Sequence, residues 1–225
     1  MREIVLDTET TGLDPGDGHR IVEIGCIELF NHVPTGRSFH RYINPERSMP
    51  SDAQAVHGLT DEFLSDKPLF AAVVDEFLEF VGNDCLVIHN AEFDLRFLNY
   101  ELKRLGRPAL ACGHADTLSL ARKKFPGAPA SLDALCKRFD IDLSDREKHG
   151  ALIDCRLLAD VYLELIGGRQ PTLAIVADIA RDVASSIVVD RPWREPRAHA
   201  PTEDELAAHA AMLARLKQPL WLAAD

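Results

Sequence analysis

The sequence predicts an α/β fold, a five-stranded mixed sheet flanked by helices, followed by a largely extended C-terminal tail. Three observations carry that prediction. The first forty or so residues hold three runs of strand-like composition separated by turn signals, the pattern of a meander. From about residue 70 to 166, apolar residues recur at helical spacing in segments that alternate with short apolar runs, which places helices on both faces of the sheet. Beyond Gly167-Gly168, a helix-stop signal, the patterning ends and Pro171, Pro192, Pro196, Pro201 and Pro219 punctuate the chain.

Taken in order, residues 2–7, 20–30 and 37–43 read as strands. Their breaks fall at Asp14-Pro15-Gly16-Asp17-Gly18 and at Pro34-Thr35-Gly36. Ala71, Val74, Phe77, Leu78 and Val81 are spaced as one face of a helix. A fourth strand, Cys85–His89, leads into a helix from about Ala91 to Leu105 with the stripe Phe97, Leu98, Leu102 and Leu105. Asp116 ends or follows a short fifth strand, and helices are predicted near 117–124, 131–139 and 150–166. The division is then 1–168 as a domain, 169–176 as a linker, and 177–225 as a tail. In the tail Thr202 and Glu205 form a capping-box pattern ahead of Leu206, Met212, Leu213 and Leu216.

Composition narrows the function classes. Hydrophobic content of 46% and charged content of 27% are those of an ordinary globular protein. A net charge of −11 argues against a protein that coats nucleic acid through a broad basic surface. Cys26, Cys85, Cys112, Cys136 and Cys155 form no Cys-x-x-Cys pair and read as reduced thiols. With no apolar run of membrane-spanning length and no signal-peptide pattern, the expectation is a cytoplasmic protein.

The chemistry starts at Asp7 and Glu9. In a strand, residues two apart point to the same face, so the two carboxylates can aim at one small volume. Together they repel unless a cation lies between them or one keeps its proton. Such an Asp-x-Glu alone reads more often as a solvated turn, so it needs partners elsewhere. Asp94 precedes Phe97 and Leu98 by three and four, and Asp154 stands in the same relation to Leu157 and Leu158, so each belongs on the inward face of its helix. A buried carboxylate is costly unless something compensates it. Four of them converging suit hard cations such as Mg²⁺ or Mn²⁺ in a two-metal site. His149, five residues before Asp154, has a side chain whose ordinary pKa of about 6.5 suits proton abstraction near neutrality.

These residues resemble the DEDD 3′→5′ exonucleases. Asp7-Thr8-Glu9, Asp94 within Val87-Ile88-His89-Asn90-Ala91-Glu92-Phe93-Asp94, and His149 with Asp154 match the three motifs, the histidine marking the histidine subclass. The likeness extends through Val56-His57-Gly58, Asp61-Glu62-Phe63-Leu64 and Ser131-Leu132-Asp133-Ala134-Leu135-Cys136, and covers residues 3–168. It is similar throughout to the proofreading branch of that family. The resemblance implies a ribonuclease H-like fold and hydrolysis of the last phosphodiester at a single-stranded 3′ end of DNA, releasing a 5′-monophosphate. It also implies two divalent cations, Mg²⁺ or Mn²⁺, held by Asp7, Glu9 and Asp154, with Asp7 bridging them and Asp94 joining directly or through water, and His149 as general base. A substrate role is implied for His57 and Asp52. His89 is either a substrate contact or a satisfied loop histidine. Thr10, Thr11 and Gly12 either let the backbone approach the terminal sugar or merely end the strand.

For the tail, Gln170, Leu173 and Ile175 within Gln170-Pro171-Thr172-Leu173-Ala174-Ile175 resemble a sliding-clamp (beta) binding peptide. Thr202–His209 and Pro219-Leu220-Trp221 resemble a segment that docks on the polymerase (alpha) subunit, and a small theta-like subunit is a further partner the resemblance raises. Two rival readings stand beside this one: a free-standing nuclease trimming RNA or oligonucleotides, and a structural tether between polymerase and clamp.

Overall fold

A computed structural model describes residues 1–144, 149–168 and 200–216. The chain divides into two units, Met1–Leu173 and Ala174–Asp225.

In the first unit the central strand β1 (Arg2–Thr10) pairs antiparallel with β2 (Ile21–Phe30), which pairs antiparallel with β3 (Val33–Tyr42). On its other side β1 pairs parallel with β4 (Cys85–Ile88), and β4 pairs parallel with β5 (His114–Asp116). The order β3-β2-β1-β4-β5 is the mixed five-stranded sheet that the sequence predicts.

β1 runs three residues further than predicted, so Glu9 as well as Asp7 lies inside the strand. The β2–β3 turn is also elsewhere. It is the two-residue loop Asn31-His32, both with positive φ (50° and 67°), the geometry a tight hairpin requires. Pro34-Thr35-Gly36 lies within β3 instead. Proline is tolerated there because β3 is an edge strand, and the β2–β3 register shifts between Ile27 and Leu29. The first predicted break is confirmed: a 3-10 turn spans Pro15–Asp17, with Asp14 accepting from the Gly16 amide at 2.7 Å.

Helices cover both faces. The short helices α1 (Ser51–His57) and α2 (Asp61–Leu64) precede α3 (Phe70–Val81), whose buried stripe is Phe70, Val73, Val74, Phe77 and Val81. Leu78 is only partly buried and Ala71 is exposed, so the stripe is rotated from the predicted one. α4 (Ala91–Arg104) buries Asp94, Phe97, Leu98 and Leu102 as predicted. Leu105 only caps it; the position one turn earlier is filled by Glu101, which accepts two bonds from Arg20 (2.5 and 3.0 Å). α5 (Thr117–Lys124), α6 (Leu132–Arg138) and α7 (Ala151–Leu165) follow.

One core gathers Ile4, Leu6 and Ile24 with α3 and α4. The other gathers Val5, Ile27 and Leu29 with α6 and α7, as the period-2 alternation of a two-sided sheet demands. All five cysteines are free thiols. In the second unit, α8 (Glu203–Ala214) opens with the capping box at Thr202 and Glu205, the one helix the sequence predicts in the tail. Among the described residues no helix is long and apolar enough to cross a membrane.

Candidate active site

β1 and β4 are parallel, so their C-terminal ends open side by side, the place where sheets of this kind bind ligands. Strand alternation puts Asp7 and Glu9 on the face of Val5, which packs with α7. Thr8 takes the opposite face with Ile4 and Leu6, and its hydroxyl donates to Asp94 Oδ1 at 2.7 Å. The carboxylates therefore reach one another from the two sides of β1 around its end.

Two local features aim the helices. Between β4 and α4, Asn90 adopts a left-handed conformation (φ 66°), and its amide donates to Asp116 Oδ1 at 2.9 Å. This sharp turn brings Asp94 into the first turn of α4 beside the end of β1. On β2, Gly25 stands opposite Asp7, and a Cβ placed on it would lie 2.5 Å from the Ala151 carbonyl carbon. Only glycine lets the first turn of α7 lie so close to the sheet, and that turn carries Asp154.

Asp94 and Asp154 are 3% and 4% exposed, whereas Asp7 and Glu9 are partly buried. Burial, then the charges of Asp94, Glu9, Asp154 and Glu23, push the Asp7 carboxyl well above the ordinary range. Burial pushes Asp94 up to about 7 despite the Thr8 hydrogen bond, which favours the ionised form. His149 is exposed at the entry to α7, with Nδ1 3.1 Å from Asp154 Oδ2. Glu9, His149 and Asp154 offer ligand atoms all within 4.8 Å of one another. Mutual repulsion of this kind is what divalent cations relieve, so the donor set fits oxygen-seeking ions.

Beside these groups a cavity of about 550 Å³ is lined by Thr10, Gly12, Asp52 and His57, all anticipated from sequence. Thr10 Oγ1 donates to Gly12 O at 2.6 Å and closes the turn, while the Thr11 hydroxyl lies 3.1 Å from His19 Nδ1. Leu59 N donates to His57 Nδ1 at 3.0 Å, which leaves the proton of the neutral ring on Nε2. His89 does not line the cavity. Its Nδ1 lies 2.9 Å from the Thr117 hydroxyl, and burial lowers its pKa, so the satisfied loop histidine is the reading its surroundings favour. Leu13, His19 and Phe93 also line the cavity; Phe93 lies in the segment that carries Asp94, and no motif spacing singles out the other two. Gln170, Leu173, Ile175 and Pro219-Leu220-Trp221 lie outside the described residues.

The exonuclease family model (RNase_T) matches residues 4–162. DNA polymerase III subunit epsilon of Rickettsia conorii is 51% identical, covering 96% of this chain and 96% of that one. The epsilon subunit of Escherichia coli K12 is 44% identical, with 94% and 92% covered. Among solved structures, exonuclease X in complex with 5′ overhanging duplex DNA superposes with TM-score 0.60 at 27% identity, over 73% of this chain and 90% of that one. The nuclease domain of 3′hExo, a DEDDh family member bound to rAMP, gives TM-score 0.63 at 18% identity over 73% and 91%, a likeness of fold.

Proposed function

The chain belongs to the exonuclease family, in the branch of DNA polymerase III epsilon subunits, and is a 3′→5′ proofreading exonuclease; on that premise we propose which residues perform the reaction. The family uses divalent metal ions, and the protein acts within the polymerase III complex on DNA. Asp7, Glu9, Asp94 and Asp154 would hold two ions, Mg²⁺ or Mn²⁺. The observation that carries this is the gathering of the four carboxylates at the end of β1, where burial and then the neighbouring carboxylate charges push Asp7 towards protonation, and burial does the same to Asp94.

When bound, the ions supply positive charge against the scissile phosphate and lower the pKa of the attacking water. The chain's own groups do the rest. His149 takes the water's proton: an Nδ1–H donated to Asp154 leaves Nε2 as the basic nitrogen. His57 Nε2–H donates to the terminal phosphate or sugar, and Asp52, Thr10 and Gly12 shape the space for the last nucleotide. A site entered only by an unpaired end favours mispaired termini, which fray at lower cost. The net charge of −11 suits a subunit that handles the end while the polymerase holds the duplex.

Beyond Gly168, residues 170–175 would bind the sliding clamp (beta), and α8 with the last residues would dock on the polymerase (alpha) subunit. A theta-like subunit is a further partner of the nuclease domain, and the compartment is the cytoplasm. The reaction is tested by incubating 3′-labelled primer–template with Mg²⁺. The expected result is release of 5′-mononucleotides, faster from a mismatched end; internal cuts or 3′-monophosphate products would refute it.

A further inference from the structure

A fifth carboxylate stands behind the site. Glu23, 3% exposed on β2, is the direct strand partner of Glu9. Directly opposed residues hold their Cβ atoms about 4.5–5.5 Å apart, and like charges there destabilise a sheet. Two other buried carboxylates are answered by arginine. Glu28 binds Arg2 and Arg37 (2.5 and 2.9 Å), and Glu101 binds Arg20 through two bonds. Glu3 meets His32 and the Tyr162 hydroxyl (2.7 and 2.8 Å). Glu23 has His40, whose Nε2 lies 2.7 Å from Oε1, but no arginine bonds to it among the described residues, and it faces a carboxylate of the site. Its charge reaches further: it contributes to the raised pKa of Asp7 and of the Tyr42 hydroxyl beside His40. A fifth negative charge buried beside Glu9 and within reach of Asp7 costs stability unless cations bind there.

We infer that Glu23 is a positioning residue for the cation site: tethered by His40 behind Glu9, it adds negative charge that acts through Glu9 and Asp7 and raises their affinity for divalent ions. The inference rests on the cation assignment above and adds a residue outside the family's acidic set. Its signature is an exchange of stability for affinity. Removing the charge relieves repulsion in the ion-free protein and weakens ion binding.

The test uses the full chain, Glu23→Gln and Glu23→Asp, with Mn²⁺ alone followed by calorimetry, and thermal melting in chelator. Glu23→Gln keeps a side-chain oxygen for the His40 bond and loses the charge. The expected results are a dissociation constant for Mn²⁺ raised about tenfold and an ion-free melting temperature at or above that of the wild type. Glu23→Asp, which keeps the charge, should bind Mn²⁺ more tightly than Glu23→Gln. Wild-type affinity in Glu23→Gln overturns the inference. So does equal weakening in both variants, which would make packing rather than charge the cause. Failure of the wild type itself to bind Mn²⁺ would instead break the cation assignment.

Discussion

Burial pushes the Asp94 carboxyl up to about 7, although the Thr8 hydroxyl favours its ionised form. A carboxyl that holds its proton more tightly folded than unfolded costs stability as pH rises from its ordinary value, near 4, to its folded value, near 7. In chelator, Asp94→Asn should therefore gain on the wild type in melting temperature across that interval and level off above it. Each kcal/mol relieved is worth roughly 2–4 °C for a chain of this size. Mg²⁺ should reverse the order by stabilising the wild type alone. Parallel melting curves for the two proteins at all pH values would contradict the account. Asp94 and Asp154 are legible in the sequence because helical periodicity marks them as inward-facing charges, and burial without compensation is itself a signal. Thr8 and Glu23 are not: the Thr8 bond to Asp94 joins elements far apart in the chain, and the place of Glu23 opposite Glu9 depends on the register of β1 with β2.

Among the elements, α7 depends on a residue of β2 rather than on its own sequence. A methyl group at Gly25 would meet backbone atoms of Ala151 and Leu152 at 2.5–2.6 Å, and backbone cannot swing aside as a side chain can. Gly25→Ala should shift the first turn of α7, and with it Asp154 and His149. Overpacking of this kind costs about 1–3 kcal/mol, while kcat should fall at least about tenfold with the helical circular dichroism retained. An unchanged kcat would show that the close approach does not set the site. The long helices and most strands are readable because each repeats its pattern for several turns or pleats. α1 and α2 are too short for periodicity, and α1 has no side-chain N-cap bond to announce it. The β2–β3 turn is misplaced by sequence because Pro34 and Gly36 are turn residues by composition. An edge strand tolerates both, whereas Asn31-His32 gives a weaker signal.

At the scale of the whole molecule, parallel pairing of β1 with β4 brings Asp7, Glu9 and Asp94 to one end of the sheet, and α7 returns to the same end with Asp154. Sequence reasoning supplies the strands and helices but not this order, which depends on which strand pairs with which. Beyond Gly168 the chain turns from chemistry to assembly. A peptide spanning Gln170–Ile175 should bind the sliding clamp in a fluorescence-anisotropy titration. Alanine at Gln170 and Leu173 should abolish binding, and unchanged binding by that double variant would remove the clamp contact. The central claim, that acidic residues gathered at the end of β1 carry out hydrolysis of a 3′ terminus, is tested most directly at Asp7. Digestion of matched and mismatched 3′ ends with Mg²⁺ is compared between the wild type and Asp7→Ala. The account predicts a loss of at least about a hundredfold in kcat with the fold intact, and mismatch preference in the wild type; activity surviving the substitution would contradict it.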